Sequence, residues 1–219
     1  MQNNLAANKY GLGIHTSSVE LGLAISNFAG DSRTQAWNLG RDLSNVFHQY
    51  LLDFISPQTW ADLGFIAVAK GPGGFTGTRI GVVTARTLAQ QLDIPLFTIS
   101  TLAALAWEKK PVETILDSAI AIQMPAQRNQ LFTAIYQVSS DNLRLNELFP
   151  DTVISLEAWQ QTLDNLKMPY QLIEIPSGIG LGESVTSLLE LAYIEWQQGN
   201  SPHWSEALPF YGQQPVEIK

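Results

Sequence analysis

Phe65-Ile-Ala-Val-Ala-Lys-Gly71-Pro-Gly73-Gly-Phe-Thr-Gly77-Thr-Arg79-Ile-Gly81 carries an apolar strand into a glycine turn and from there directly into a long helix. Glycine at 71, 73, 74 and 77 lets the main chain take positive φ and lets other atoms approach it closely, while Pro72 holds one φ near its turn value. A helix that begins on such a turn presents unpaired N–H groups and a partial positive charge, so the loop is either architectural or a seat for an anion. Two common nucleotide loops do not fit. Walker A requires G-x-x-x-x-G-K-[ST], and no lysine lies between Lys70 and Lys109. A Rossmann fingerprint belongs on the first strand of its fold, whereas this loop follows more than sixty residues and carries Thr76 where the third glycine belongs.

Working outward from the loop, the pattern is that of an α/β chain. Tyr10 to His15 and Glu20 to Ser26 read as strands joined by the Thr16-Ser17-Ser18 turn, with Arg33 to Trp37 as a third, an antiparallel meander. Leu43, Val46, Phe47, Tyr50, Leu51, Phe54 and Ile55 follow helical spacing across 41–55, and Pro57 helps to stop that helix. The helix after the loop runs to about Leu92. A short strand, Leu96 to Ile99, and a helix capped by Ser100 or Thr101 follow. Further on, Ile115 to Gln123 and Leu131 to Val138 suggest paired strands, Ser155 to Leu166 a helix, Gln171 to Ile175 a strand and Gly182 to Gln198 a final helix ending near Gly199. A boundary near Trp107 to Pro111 divides the chain into an N-terminal lobe, 1–106, and a smaller second lobe, 107–219. The apolar Ala207-Leu-Pro-Phe-Tyr-Gly segment is expected to pack on a lobe, the C-terminal stretch folding back on the first.

With 219 residues and 45% hydrophobic content the chain can bury a substantial core. Its opening lacks the charged and apolar regions of a signal peptide, no run approaches a membrane span, and we expect a cytoplasmic protein. The absence of cysteine excludes disulfides, a thiol nucleophile and cysteine-ligated metal sites. Twelve basic against twenty acidic residues give a formal charge of −8, too acidic for tight independent binding of a nucleic acid.

Within the helix after the loop, Gly77, Gly81, Ala85 and Ala89 recur at i+4 and lay a line of small side chains down one side. Such a ridge admits close approach, either by the lobe's own 41–55 helix or by a helix of another chain. We take these four as candidate partner-interface positions, with the 41–55 helix beside them.

Three stretches together carry a family resemblance: Gly13-Ile-His-Thr-Ser-Ser, the Val68-Ala-Lys-Gly-Pro-Gly-Gly-Phe-Thr-Gly-Thr-Arg-Ile-Gly block with its helix, and Pro95-Leu-Phe-Thr-Ile-Ser-Thr-Leu. They resemble the TsaB (YeaZ) family of the actin-like ATPase superfamily, strongly over about 10–106 and more weakly across 123–136 and 208–211. The resemblance implies a two-lobed actin-like (ribonuclease H-like) α/β fold with mixed sheets flanked by helices. It also implies a non-catalytic subunit that docks through its N-lobe helices on a TsaD-like catalytic paralogue, for transfer of a threonylcarbamoyl group to adenosine of tRNA. A TsaE-like ATPase is a further expected partner, tRNA is reached only through the complex, and the isolated chain is expected to be a monomer or an isologous homodimer.

Two departures from the family pattern bear on chemistry. Where the family commonly has Ile-Asp-Thr, this chain has Ile14-His15-Thr16, and a neutral histidine is not a hard oxygen ligand for magnesium. Where the family has Asp-Ala-Arg, this chain has Pro125-Ala126-Gln127, or on a shifted alignment Ala126-Gln127-Arg128, neither with a carboxylate. We therefore expect no catalytic residue, no metal and no required cofactor. A degenerate phosphate site at His15, Thr16 and the loop glycines Gly71, Gly73 and Gly74 leaves weak ATP or ADP binding open, there or at the partner interface. A small-molecule kinase or nucleotide-binding protein of the same superfamily is the rival reading. It needs a second Asp-x-Gly motif, absent after residue 107, and an adenosine-binding glycine pair, for which Gly178-Ile-Gly180 with Gly182 is the one candidate. A metallopeptidase is disfavoured because His15, His48 and His203 form no H-x-x-x-H pair, and a serine hydrolase because G-x-S-x-G is missing. His48 reads as an exposed helix residue, His203 as a loop residue and Arg79 as a non-catalytic helix residue.

Overall fold

The computed structural model of the chain describes residues 5–6, 8–110, 118–139, 144–176 and 180–212. The first sheet is built from β1 (Tyr10–His15), β2 (Glu20–Ser26), β3 (Ser32–Asn38), β4 (Leu63–Ala69) and β5 (Leu96–Ile99), in the order β3-β2-β1-β4-β5. β1 to β3 form the antiparallel meander, and β4 and β5 add in parallel beyond β1. Between these strands lie α1 (Leu43–Ile55) and α2 (Phe75–Leu92); α3 (Thr101–Glu108) follows β5. The second sheet holds β6 (Ala119–Pro125), β7 (Gln130–Val138), β8 (Leu145–Ser155) and β9 (Tyr170–Glu174) in the order β8-β7-β6-β9, with α4 (Leu156–Asp164) and finally α5 (Val185–Gln197). The class is therefore the one the sequence implies, mixed sheets flanked by helices.

The central strands explain the layering. β4 reads Leu-Gly-Phe-Ile-Ala-Val-Ala and is buried along nearly its whole length, as a parallel strand covered on both faces must be. Ile66 and Val68 point into one core with Leu12, Ile14, Phe47, Val82 and Ala85, under α1 and α2. Phe65, Ala67 and Ala69 point into the other with Val185, Leu188 and Leu189 of α5. Although α5 falls in the 107–219 segment, it packs on β1, β2, β4 and β5. The second sheet is closed by α3 on one face, around Leu102, Leu105, Ile120 and Tyr136, and by α4 on the other, where Trp159 is buried against Ala121 and Ile135. α3 is thus shared: Ala104 and Trp107 serve the first core while Leu102 and Leu105 serve the second. Ser100 caps it, accepting hydrogen bonds from the Leu102 and Ala103 amides.

Some expectations meet corrections. The eleven-residue β8 is absent from the sequence reading, and the strand expected from Ile115 starts at Ala119, residues 115–117 lying outside those described. Gly178 and Ile179 of the candidate glycine pair also lie outside them, as does Pro111 at the expected lobe boundary. Ala207 enters the first core, and the Phe210 amide donates to the carbonyl of Lys70 at 2.6 Å. Among the described residues no helix is long and apolar enough to cross a membrane.

Candidate functional site

Two turns meet at the carboxyl ends of β1 and β4. Gly71 follows β4 at φ 98°, a left-handed conformation in which its own Cβ would strike the carbonyl of Phe210. Gly74 is the N-cap of α2, no side chain caps that helix, and its amide donates to the carbonyl of Ser17 at 2.7 Å. Thr16 lies beneath α2: its hydroxyl donates to the carbonyl of Gly77 at 2.8 Å. A Cβ at Gly77 would collide with the Thr16 carbonyl, and one at Gly81 with the Thr16 hydroxyl oxygen. The β1–β2 turn therefore touches α2 backbone to backbone at Gly77 and through the Thr16 side chain at Gly81, approaches that only glycine allows.

This contact corrects the expected role of the small-residue ridge. Gly77, Gly81, Ala85 and Ala89 are all buried inside the chain, where the first two receive the Thr16 turn and the last two belong to the core under α1 and α2. They are not a surface for another protein. The i+4 spacing correctly marks close approach: the Thr16 turn meets Gly77 and Gly81, and α1 shares the core with Ala85 and Ala89 and brings Leu43 beside Gly77. The outer face of the α1–α2 pair is different. Leu52 and Val83 are 52% and 54% exposed there, and His48, also exposed, meets the Thr84 hydroxyl at 3.3 Å.

Around the junction opens a cleft of about 780 Å³. Its walls are Ser17, Ser18, Val19, Gly40, Arg41, Leu43 and Ser44 on one side, Gly73 to Gly77 and Ile80 along α2, and Met124, Pro125, Ala126, Gln127, Phe132, Leu181 and Tyr211 opposite. Among these lining residues Arg41 is the one charged side chain. Pro125-Ala126-Gln127, read from sequence as the degenerate second-lobe motif, does border the cleft. His15 does not line it. It is fully buried at the end of β1, and burial alone holds its imidazole neutral, with the pKa lowered to about 3. Neither ring nitrogen has a hydrogen-bond partner among the described residues, nor do the buried hydroxyls of Ser17, Thr78 and Thr101. A neutral ring of this kind supplies no carboxylate oxygen to magnesium. Among the described residues no group of three or more His, Cys, Asp or Glu side chains could hold a metal ion.

The second glycine segment is already engaged. The Glu20 carboxylate accepts the Gly180 amide at one oxygen and the Gly182 amide at the other, both at 2.9 Å. Gly22 and Gly182 are so close that a Cβ on Gly22 would overlap the Gly182 carbonyl. Arg79 lies over the Phe75 ring, which in turn touches Tyr211, and His203 caps a short 3-10 turn at Trp204–Glu206. One cluster escaped the sequence reading: Ser100 and Tyr136 both donate to Asp151, at 2.9 and 3.0 Å. Burial pushes the Asp151 carboxyl up, against the lowering effect of those two bonds, and pushes the Tyr136 hydroxyl well up. Asp151 lies on the unrecognised strand β8, so no local signal marked it.

Residues 55–195 match the family described as TsaD, tRNA N6-adenosine threonylcarbamoyltransferase. The tRNA threonylcarbamoyladenosine biosynthesis protein TsaB of Bacillus subtilis (strain 168) is 40% identical over 108 residues, 49% of this chain and 44% of that protein. TsaB of Buchnera aphidicola subsp. Schizaphis graminum is 32% identical over 118 residues, 52% of this chain and 53% of that protein. The chain thus matches about half the length of these curated relatives. Among solved structures, YeaZ from Pseudomonas aeruginosa superimposes with a TM-score of 0.69 at 19% identity, over 93% of this chain and 99% of that one. A second, titled an uncharacterized protein with similarity to peptidase YEAZ from Pseudomonas aeruginosa, gives 0.71 at 18%, over 94% and 100%. Fold and cleft define the class, a two-sheet α/β protein of the actin-like, ribonuclease H-like kind. With more than half of its residues inside the match, the chain belongs to the family described as TsaD, tRNA N6-adenosine threonylcarbamoyltransferase, and the curated relatives it resembles are named TsaB.

Proposed function

We propose that this chain is a non-catalytic subunit in the formation of threonylcarbamoyladenosine on tRNA, pairing with a TsaD-like catalytic protein. The 40% identity to a protein named for this biosynthesis carries the reading. Two structural observations support it. Leu52 and Val83 place apolar side chains in solvent on adjacent helices, an arrangement suited to a protein partner. A buried neutral His15 stands where a metal-dependent nucleotide site would need a carboxylate. The formal charge of −8 suits a subunit that leaves tRNA contacts to its partner. In the same proposal the α1–α2 face pairs two copies when the partner is absent, and a TsaE-like ATPase joins through the assembled complex.

The test is light scattering on size-exclusion fractions of this chain mixed with its TsaD-like counterpart. A heteromer is expected, lost in Leu52→Asp and Val83→Asp while both variants keep the wild-type melting temperature. A heteromer that survives both substitutions moves the interface elsewhere, and failure to form one in any nucleotide condition overturns the reading.

A further inference from the structure

We propose that the Ser100, Tyr136 and Asp151 cluster is a proton-operated latch across the cleft: with a proton on Asp151 the second sheet is held against the glycine turn, and with that proton gone the hold loosens. This goes beyond the partner-subunit reading and concerns the chain by itself. A regular strand places residues 149 and 153 on one face, yet Phe149 packs on the core under α4 and Val153 on the one under α3. The pairing of β7 with β8 shifts register between Thr133 and Ile135 and again between Ile135 and Tyr136, and these irregularities turn Asp151 to the α3 side. There the Ser100 and Tyr136 hydroxyls both donate to a single oxygen, Oδ1, at 2.9 and 3.0 Å. Two donors on one oxygen suit the carbonyl oxygen of a neutral carboxyl, whose proton Oδ2 carries.

The cluster reaches the cleft through consecutive residues. Ser100 holds Asp151 with its side chain, and the next residue, Thr101, donates its amide to the Gly71 carbonyl at 2.9 Å. Gly71 opens the turn that leads into Gly73 to Gly77 on one wall, while β6, β7 and their turn, in the same sheet as β8, supply Met124 to Gln127 and Phe132 opposite. Burial is the main influence on the Asp151 carboxyl and pushes it up; the bonds from Ser100 and Tyr136 and the charge of Lys70, after β4, pull it down, and Glu147 on β8 pushes it up. Lys70 is shared with Glu195 of α5. The net elevation means that the closed arrangement holds the proton more tightly than an open one, in which the carboxyl meets water and regains its ordinary 3.8. The latch is therefore fully closed below pH 3.8 and loosens as pH rises through the titration of the folded carboxyl.

The test follows the full chain from pH 4 to 8. The carboxyl carbon shift of Asp151 is expected to titrate above 3.8. Through that titration, amide-exchange protection at residues 101–103 should fall by about tenfold for each pH unit separating its midpoint from 3.8. The reference is Asp151→Asn, whose side-chain oxygen accepts the same two bonds and which cannot ionise. Nitroxides on Thr76→Cys and Gln127→Cys, exposed on opposite walls in a chain with no cysteine of its own, should move apart over the same range in the wild-type background and hold their separation with Asp151→Asn. A carboxyl that titrates at or below 3.8, equal pH profiles with and without Asp151→Asn, or labels that keep their distance while protection falls would each overturn the latch. Should Asp151→Asn fail to fold, the wild type decides alone: coincident midpoints for carboxyl, protection and label distance support the latch, and separate midpoints overturn it. None of these readouts depends on a heteromer forming, so the two readings stand or fall separately.

Discussion

At His15 the sequence replaces a carboxylate by an imidazole, and the fold then buries that imidazole completely. Its folded pKa, about 3, lies below the ordinary value of 6.5, so the unfolded chain takes up a proton that the native one refuses. Stability from this group is whole above pH 6.5 and is lost progressively as pH falls toward 3, by up to about 1.4 kcal/mol per pH unit. Asp151 acts in the opposite sense. Its raised pKa favours the fold at acid pH and the benefit is lost as pH rises through that pKa, so the readout is a comparison and not the raw profile. Urea unfolding of wild type and His15→Leu between pH 4 and 8 should show the wild type losing stability faster below 6.5, with the curves parallel above it. Parallel curves throughout would mean that His15 is protonated in the native state. The identity of this residue was plain in the sequence; its burial was not, because β1 is packed by α5, far along the chain.

For α2 the reading from sequence and the structure agree on boundaries and part on direction. The strand, the glycine turn, the helix to Leu92 and the Ser100 cap are local signals, and each is where the residues put it. The ridge was legible as small, yet spacing cannot name what touches it, and it turned out to hold the Thr16 turn. Ala85→Trp should therefore act as a core lesion. Overpacking typically costs about 1–3 kcal/mol, and a ring in a site with no exposed surface should sit at or above the upper end. Val83→Asp, two residues earlier on the exposed side, should stay within about 0.5 kcal/mol of wild type. Chemical denaturation separates them, and equal midpoints would return the ridge to the surface. β8 was missed for an equally physical reason. Pro150 interrupts it and most of its side chains are partly exposed, so neither strict alternation nor an apolar run marks it; pairing with β7 makes it a strand.

Across the whole molecule the two sheets are joined by a few polar ties as well as by α3. Glu20 on β2 holds the Gly180 and Gly182 amides of the segment that follows β9, and Ser100, after β5, joins Tyr136 in holding Asp151 of β8. Glu20→Ala leaves two amides without their carboxylate and should cost roughly 1–3 kcal/mol, with amide exchange accelerating first at 180–185. Uniform acceleration across both sheets, or none, would show that Glu20 is not a local clamp. α5 has a different consequence, one that belongs to synthesis. The strands of the first sheet are complete once Ile99 has been made, but one of their faces lacks most of its cover until Gln197 has left the ribosome, because α5 supplies Val185, Leu188, Leu189, Leu191 and Ala192 there and α3 only Ala104 and Trp107. Throughout that interval Phe65, Ala67 and Phe97 are only partly covered on a nascent chain, a task for the cell's chaperones before it is one for the finished protein.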